Sequence, residues 1–183
     1  GADWIDRFDS SQNLWIESIR TNEEGRSIAT DGTDIYLGTA GGGLMVYDAN
    51  GSLLQTLDEV SSPSITSDFI QDMSYDAYTS TLSLSHPSQG LTVWNLSSGT
   101  VTEFNEQASG AQELDSDDVG EIATRSGIVY IGSDEEGVMR IDLTTNEVIG
   151  SWQSLGADEL DWAPIASDGT TVWLGLDGFG VLV

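Results

Sequence analysis

One stretch of this chain, Ile35-Tyr36-Leu37-Gly38-Thr39-Ala40-Gly41-Gly42-Gly43-Leu44-Met45-Val46-Tyr47-Asp48, reads as two apolar strands around a glycine-rich turn, and it returns three times. The copies run from Leu82 to Asn95, from Val129 to Asp142 and from Val172 to Val183. Aligned on Gly43, Gly90, Gly137 and Gly180, the steps are 47, 47 and 43 residues. Self-similarity at roughly 40 to 50 residues belongs to propellers and other repeat arrays, in which each unit is one supersecondary element that buries its faces against its neighbours.

The central strands are apolar on both faces. In the first copy the alternation assigns Ile35, Leu37, Leu44 and Val46 to one side of the pleat and Tyr36, Met45 and Tyr47 to the other. A sheet with one wet face alternates with polar residues; burial on both faces suits a blade between two neighbours. The expectation is therefore an all-β chain, a β-propeller of four blades forming a single domain over residues 1–183. The repeats fall at about 25–57, 69–104, 119–152 and 162–183. Asp31-Gly32 and Asn50-Gly51 mark tight turns that need positive φ. The last repeat lacks an outer strand, and residues 3–9 supply a spare one, so the N-terminal strand is expected to complete the last blade and close the ring. Residues 10–24 read as a loop with room for a short extra strand. The recurring aromatics, Tyr36, Tyr130 and Trp173 at one position and Tyr47 and Trp94 at another, read as packing between blades.

The charge limits what such a ring could bind. There are 31 Asp and Glu against five arginines and no lysine, a net charge of −26. Nucleic acid and anionic membranes are excluded as partners, because binding them needs cationic side chains that displace counterions. The surface favours cations, basic partners or a salty medium, and a marine or halophilic source fits an acidic surface whose self-repulsion salt screens. No apolar run of about 18 residues is present, so no membrane insertion is expected. Neither is a charged-then-apolar leader, so the chain reads as cytosolic or already trimmed. Cysteine is absent, so packing alone must hold the fold.

The run from Ser27 to Asp48, and less completely Asp117-Asp118-Val119 to Asp142, resembles the blade motif of the two-component regulator propeller family: inner strand, Asp-Gly-type turn, aromatic-aliphatic-Gly-Thr strand, then Gly-Gly-Leu and an aliphatic strand ending in Asp. The resemblance implies a ligand-sensing, non-catalytic role of the kind filled by the periplasmic part of membrane histidine kinases, and a periplasmic or extracellular location.

One polar feature follows the repeat. A carboxylate stands before each inner strand: Glu24, Asp68, Asp118 and Asp161. Four such groups could ring the mouth of a central channel and hold Ca²⁺ or another hard cation. The plainer reading, which we favour, is that each accepts hydrogen bonds from nearby backbone N–H groups and shapes its turn. The runs Asp115-Ser116-Asp117-Asp118 and Asp134-Glu135-Glu136 lack EF-hand spacing and read as a solvated face. His86, the one histidine, precedes Pro87 and reads as a surface loop residue. The arginines Arg7, Arg20, Arg26, Arg125 and Arg140 are scattered and do not form an anion site.

These features support a non-catalytic binding or interaction module with no cofactor required. Its ligand is an unidentified small molecule, glycan or protein, expected on the face that carries the glycine-rich turns. A propeller glycoside hydrolase or lyase acting on polysaccharide is the second reading, and a structural repeat segment of a larger extracellular protein the third. Monomer, and homodimer completing an eight-blade ring, both remain open.

Overall fold

The computed structural model describes residues 4–133, 137–152, 164–176 and 180–182. Among these residues seventeen antiparallel strands build five sheets in chain order. A hairpin comes first: β1 (Trp4–Asp9) and β2 (Leu14–Arg20). Three four-stranded sheets follow. They are β3 (Gly25–Thr30), β4 (Ile35–Thr39), β5 (Leu44–Tyr47) and β6 (Leu53–Leu57); β7 (Asp72–Asp76), β8 (Thr81–His86), β9 (Gly90–Asn95) and β10 (Val101–Phe104); and β11 (Ile122–Arg125), β12 (Ile128–Ser133), β13 (Gly137–Asp142) and β14 (Glu147–Trp152). The last sheet has three strands, β15 (Ile165–Ser167), β16 (Val172–Leu176) and β17 (Gly180–Leu182). Each sheet is an up-and-down meander. Among the described residues the only helical element is one 3-10 turn at Gly110–Gln112, and no helix is long and apolar enough to cross a membrane.

The repeated glycine has a steric cause. Gly43, Gly90 and Gly137 open the third strand of their sheets at φ 74°, 86° and 78°. A Cβ at Gly43 would collide with the Leu57 carbonyl oxygen, and one at Gly90 with that of Phe104. Positive φ and a backbone in van der Waals contact leave room for no side chain. The expected turns also form. The Asp31 carboxylate accepts from the Thr33 and Asp34 N–H groups, both at 2.8 Å, and the Asp48 carboxylate accepts from Asn50 at 2.9 Å and Ser52 at 2.8 Å.

The sheets stack through four apolar layers, one at each junction. Ile5 and Ile19 of the hairpin meet Leu37, Met45 and Tyr47. Tyr36, Leu44 and Val46 meet Met73, Leu82 and Leu84. Leu91, Val93 and Phe104 meet Ile122, Ile131, Met139 and Ile141. Tyr130 and Val138 meet Leu174, with Ile165 and Val172 against them. Tyr36 and Trp94 meet edge to face across the second junction, with ring centroids 6.2 Å apart, so this pair does pack between sheets.

Two sequence expectations need correction. First, odd-numbered residues of β4 lie opposite odd-numbered residues of β5 (Ile35 opposite Tyr47, Leu37 opposite Met45), and Tyr36 lies opposite Val46. Opposite residues share a face. Tyr36 therefore groups with Leu44 and Val46, and Leu37 with Met45 and Tyr47, because the register of the turn sets the parity. Second, among the described residues β1 pairs with β2 and not with a strand of the last sheet, and β2 occupies most of the stretch expected to be a loop. The reason is local. Asp9 accepts from the N–H groups of Ser11 and Gln12 at 2.9 and 3.1 Å, and Asn13 adopts φ 53°, so a tight turn delivers a partner strand at once. Closing a short loop costs less chain entropy than bringing together the two ends of the chain.

Candidate functional site

The inner strands β3, β7, β11 and β15 lie side by side in that order. Their open edges would leave unpaired N–H groups facing the axis, and β7 answers this with alternate polar side chains. Asp72 accepts from the Ile122 N–H at 2.9 Å, Ser74 from the Thr124 N–H at 3.0 Å, and Asp76 from the Gly127 N–H at 3.0 Å. The Ser74 and Thr124 hydroxyls are also bonded, at 2.8 Å. Asp76 is buried and takes the Thr79 N–H and hydroxyl as well, at 2.9 and 3.0 Å. These groups are consumed by structure.

One end of the same strands carries groups that are not. Arg26 on β3 donates to the Gln71 amide oxygen at 2.7 Å, and the Gln71 amide nitrogen reaches Glu121 at 3.4 Å. The string crosses three consecutive sheets. The Arg26 guanidinium also lies over the Phe69 ring, 4.7 Å from its centroid. Glu121 is half-buried. Burial first, and then the Asp72 carboxylate beside it, to which a protonated Glu121 donates, push its carboxyl up to about 7, against the opposing pull of Gln71 and Arg26. The cluster thus offers a guanidinium of which one donor is engaged among the described residues, an amide and a carboxyl that changes charge near neutrality.

The four carboxylates expected to ring the mouth have separate fates. Glu24 uses its backbone, whose carbonyl accepts from the Ala40 N–H at 3.0 Å. Asp68 and Glu59 clasp each other: Asp68 accepts from the Glu59 N–H at 2.8 Å and donates its own N–H to the Glu59 carboxylate at 3.1 Å. The same clasp recurs between Asp117 and Glu106, at 2.6 and 3.0 Å. The carbonyls of Asp68 and Asp117 also accept from Gly43 and Gly90 respectively. The counterpart of Asp68 is thus Asp117. Asp118 lies one residue on and donates its N–H to the Ser116 hydroxyl at 3.1 Å. Asp161 and the run Asp134–Glu136 lie outside the described residues. Among the described residues no group of three or more His, Asp or Glu side chains converges as a metal would require.

His86 differs from expectation. It ends β8 fully buried, not in a surface loop. Its Nδ1 lies 3.0 Å from the Phe69 carbonyl and its Nε2 2.9 Å from the Thr92 hydroxyl. A carbonyl only accepts, so Nδ1 carries the proton and Nε2 accepts from Thr92. The Thr92 oxygen in turn takes the Thr66 N–H at 3.2 Å. Burial pulls the imidazole down to about 4, only partly offset by the Phe69 hydrogen bond and the Asp68 charge. It is a neutral structural group.

Arg26, Gln71 and Glu121 escaped the sequence reading, which looked for repeated carboxylates. The available signal was Asp72-Met73-Ser74-Tyr75-Asp76, a strand with polar residues at every second position, which marks side chains turned to a neighbouring strand edge.

No protein-family model matches this chain and no curated protein matches it. Solved structures do. The computationally designed Ika4 protein is 16% identical, with a TM-score of 0.65 over 88% of this chain and 90% of Ika4. The designed Ika8 protein is 15% identical, with a TM-score of 0.70 over 98% of this chain and 52% of Ika8. The extracellular domain assigned to the hybrid two component system BT3049 of B. thetaiotaomicron is 16% identical, with a TM-score of 0.67 over 98% of this chain and 26% of that one. The chain thus spans about half the length of Ika8 and a quarter of the BT3049 domain. At these identities the likeness is one of fold: the chain is an all-β protein of propeller-like architecture.

Proposed function

We propose that this chain is a non-catalytic binding module of the ligand-sensing propeller type. Its small-molecule ligand engages the axial cluster of Arg26, Gln71 and Glu121. The observation that carries the reading is the hydrogen-bonded string these residues make across three sheets, in which Arg26 uses one of its donors among the described residues. A rigid sheet scaffold that presents convergent polar groups near the axis is a common setting for ligand recognition. The likeness of fold to an extracellular domain of a two component system supports a sensing role and a periplasmic or extracellular setting.

The cluster is poorly suited to glycoside hydrolysis. Asp72, the carboxylate beside Glu121, already accepts from the Ile122 N–H at 2.9 Å, whereas both carboxyl groups of a retaining or inverting enzyme act on the sugar or its water. A thermal-shift screen of amino acids, organic acids and oligosaccharides tests the proposal. A ligand that raises the melting temperature of the wild type, and not of R26A or E121Q, supports it. Saturable turnover of any glycan overturns it.

A further inference from the structure

We propose that the free edge of β10 takes up an extended, lysine-bearing peptide as a fifth strand of its sheet, at a site separate from the axial cluster. The inference begins with the ladder. The Asn95 N–H donates to the Thr100 carbonyl, which fixes residues 100 and 95 as a hydrogen-bonded pair. With the register Val101–Trp94, Thr102–Val93, Glu103–Thr92 and Phe104–Leu91, the alternation of an antiparallel ladder turns Thr102 and Phe104 toward β9. The N–H and C=O groups of Val101 and Glu103 point away from the sheet, and no backbone partner meets them among the described residues.

The outer strands of the two other four-stranded sheets are blunted. The β5–β6 pairing is broken by a register shift at Val46/Tyr47, and the β13–β14 pairing by one at Arg140/Ile141. Bulges of this kind twist an edge out of the geometry that a new strand needs. The β9–β10 pairing is regular along its whole length. The residues Val101-Thr102-Glu103-Phe104 contain no proline, a usual guard of an exposed edge.

The regular edge lies in a groove of about 690 Å³, lined by Thr100 to Glu103, by Ser61, Ser62 and Ser64, and by Gln112. Its walls are tied down. The Ser61 hydroxyl lies 3.0 Å from the Asp58 carbonyl and 2.7 Å from the Pro63 carbonyl, and it accepts the Asp58 N–H at 3.0 Å. The Gln112 amide donates to the Asn146 carbonyl of the next sheet at 2.7 Å. Four strand residues offer an edge of roughly 13 Å, the length of a short extended segment. The lining has no aromatic ring on which a sugar could stack and no cation to hold an anion, but it does have unsatisfied main-chain groups, hydroxyls and the exposed Glu103 carboxylate. Main-chain pairing with hydroxyl-lined flanks suits a peptide strand. Glu103 and the net charge of −26 select a basic one.

The test uses an acetylated, amidated hexapeptide, Thr-Lys-Val-Lys-Val-Thr, titrated calorimetrically into the whole chain, with amide exchange followed by NMR. Strand addition predicts saturable binding and at least tenfold slower exchange of the Val101 and Glu103 amides. It predicts at least fivefold weaker binding to E103K, whose exposed position leaves the fold intact. N-methylating one alternate set of peptide amides must abolish binding while methylating the other set leaves it. Absence of saturable binding overturns the proposal. So does an equal effect of the two methylation patterns, or protection confined to the axial cluster.

Discussion

The seam between β7 and β11 and the seam between β3 and β7 join equivalent inner strands by different means. At the first, three alternate side chains of β7 reach across and take backbone N–H groups of the neighbouring segment. At the second, a single side-chain bond runs from Arg26 to Gln71, and the guanidinium rests on Phe69. Both seams sit over well-packed apolar layers. Apolar burial therefore brings the sheets together at either place, and the polar groups above it divide into those committed to structure and those left for a ligand. Carboxylate count alone does not separate them: Asp72 and Asp76 hold backbone, and Glu121, at the end of the same junction, retains a titratable proton.

The widest gap is expected between substitutions of one residue from each seam. D76A leaves the buried Gly127 N–H and the part-buried Thr79 N–H without their acceptor and should cost about 3 kcal/mol. Q71A removes the exposed bond to Arg26 and a long, part-buried one to Glu121 and should cost about 0.5 kcal/mol. Urea unfolding of the two variants measures the difference; equal costs would break the comparison.

Of similar size is a pH effect centred on His86. Between about pH 4 and 6.5 the unfolded imidazole binds a proton that the folded one refuses. Its contribution is therefore complete above pH 6.5 and is lost on acidification toward pH 4. A shift of this size is worth about 3 kcal/mol. Unfolding curves across that range should show the loss in the wild type, and H86N, which has no titrating group there, should lack it.

S74A should cost about 1 kcal/mol, since it removes one acceptor for the Thr124 N–H and one hydroxyl pair. The smallest expected effect belongs to Glu121, and its sign is opposite to that of His86. The folded carboxyl keeps its proton up to about pH 7, whereas an ordinary one releases it near 4.5. Its stabilising contribution is complete below pH 4.5 and gone above 7, and its partial exposure keeps it small. E121Q should remove this descending limb and leave the His86 limb in place. If E121Q and the wild type give the same pH profile, Glu121 is not the group that distinguishes the axial end of the cluster.

Much of the strand plan was legible in the residues. Asp31-Gly32 and Asn50-Gly51 gave their turns, and the spacing of Gly43, Gly90 and Gly137 gave the start of each third strand, because positive φ and backbone contact are local demands that only glycine meets there. The candidate site was less legible. Asp68 and Asp117 are equivalent in space but stand 22 and 20 residues before Gly90 and Gly137, so alignment on the glycines, which places Glu24 19 residues before Gly43, selected Asp118 instead. His86 sits before a proline, which suggests a loop, yet Phe69, Thr92 and Thr66 supply a complete set of partners for a buried ring.

The sequence by itself determined the period, the strands of the repeats and the doubly apolar character of their central strands, since these follow from φ preferences and from the alternation of side chains along one strand. Tertiary structure decided what touches what across some fifty residues: that Asp72 takes the Ile122 N–H, and that Arg26, Gln71 and Glu121 meet near the axis. The physical reason is that a strand edge or a carboxylate accepts any donor of suitable geometry. Which donor arrives is set by how the apolar layers stack, and no single stretch of chain encodes that.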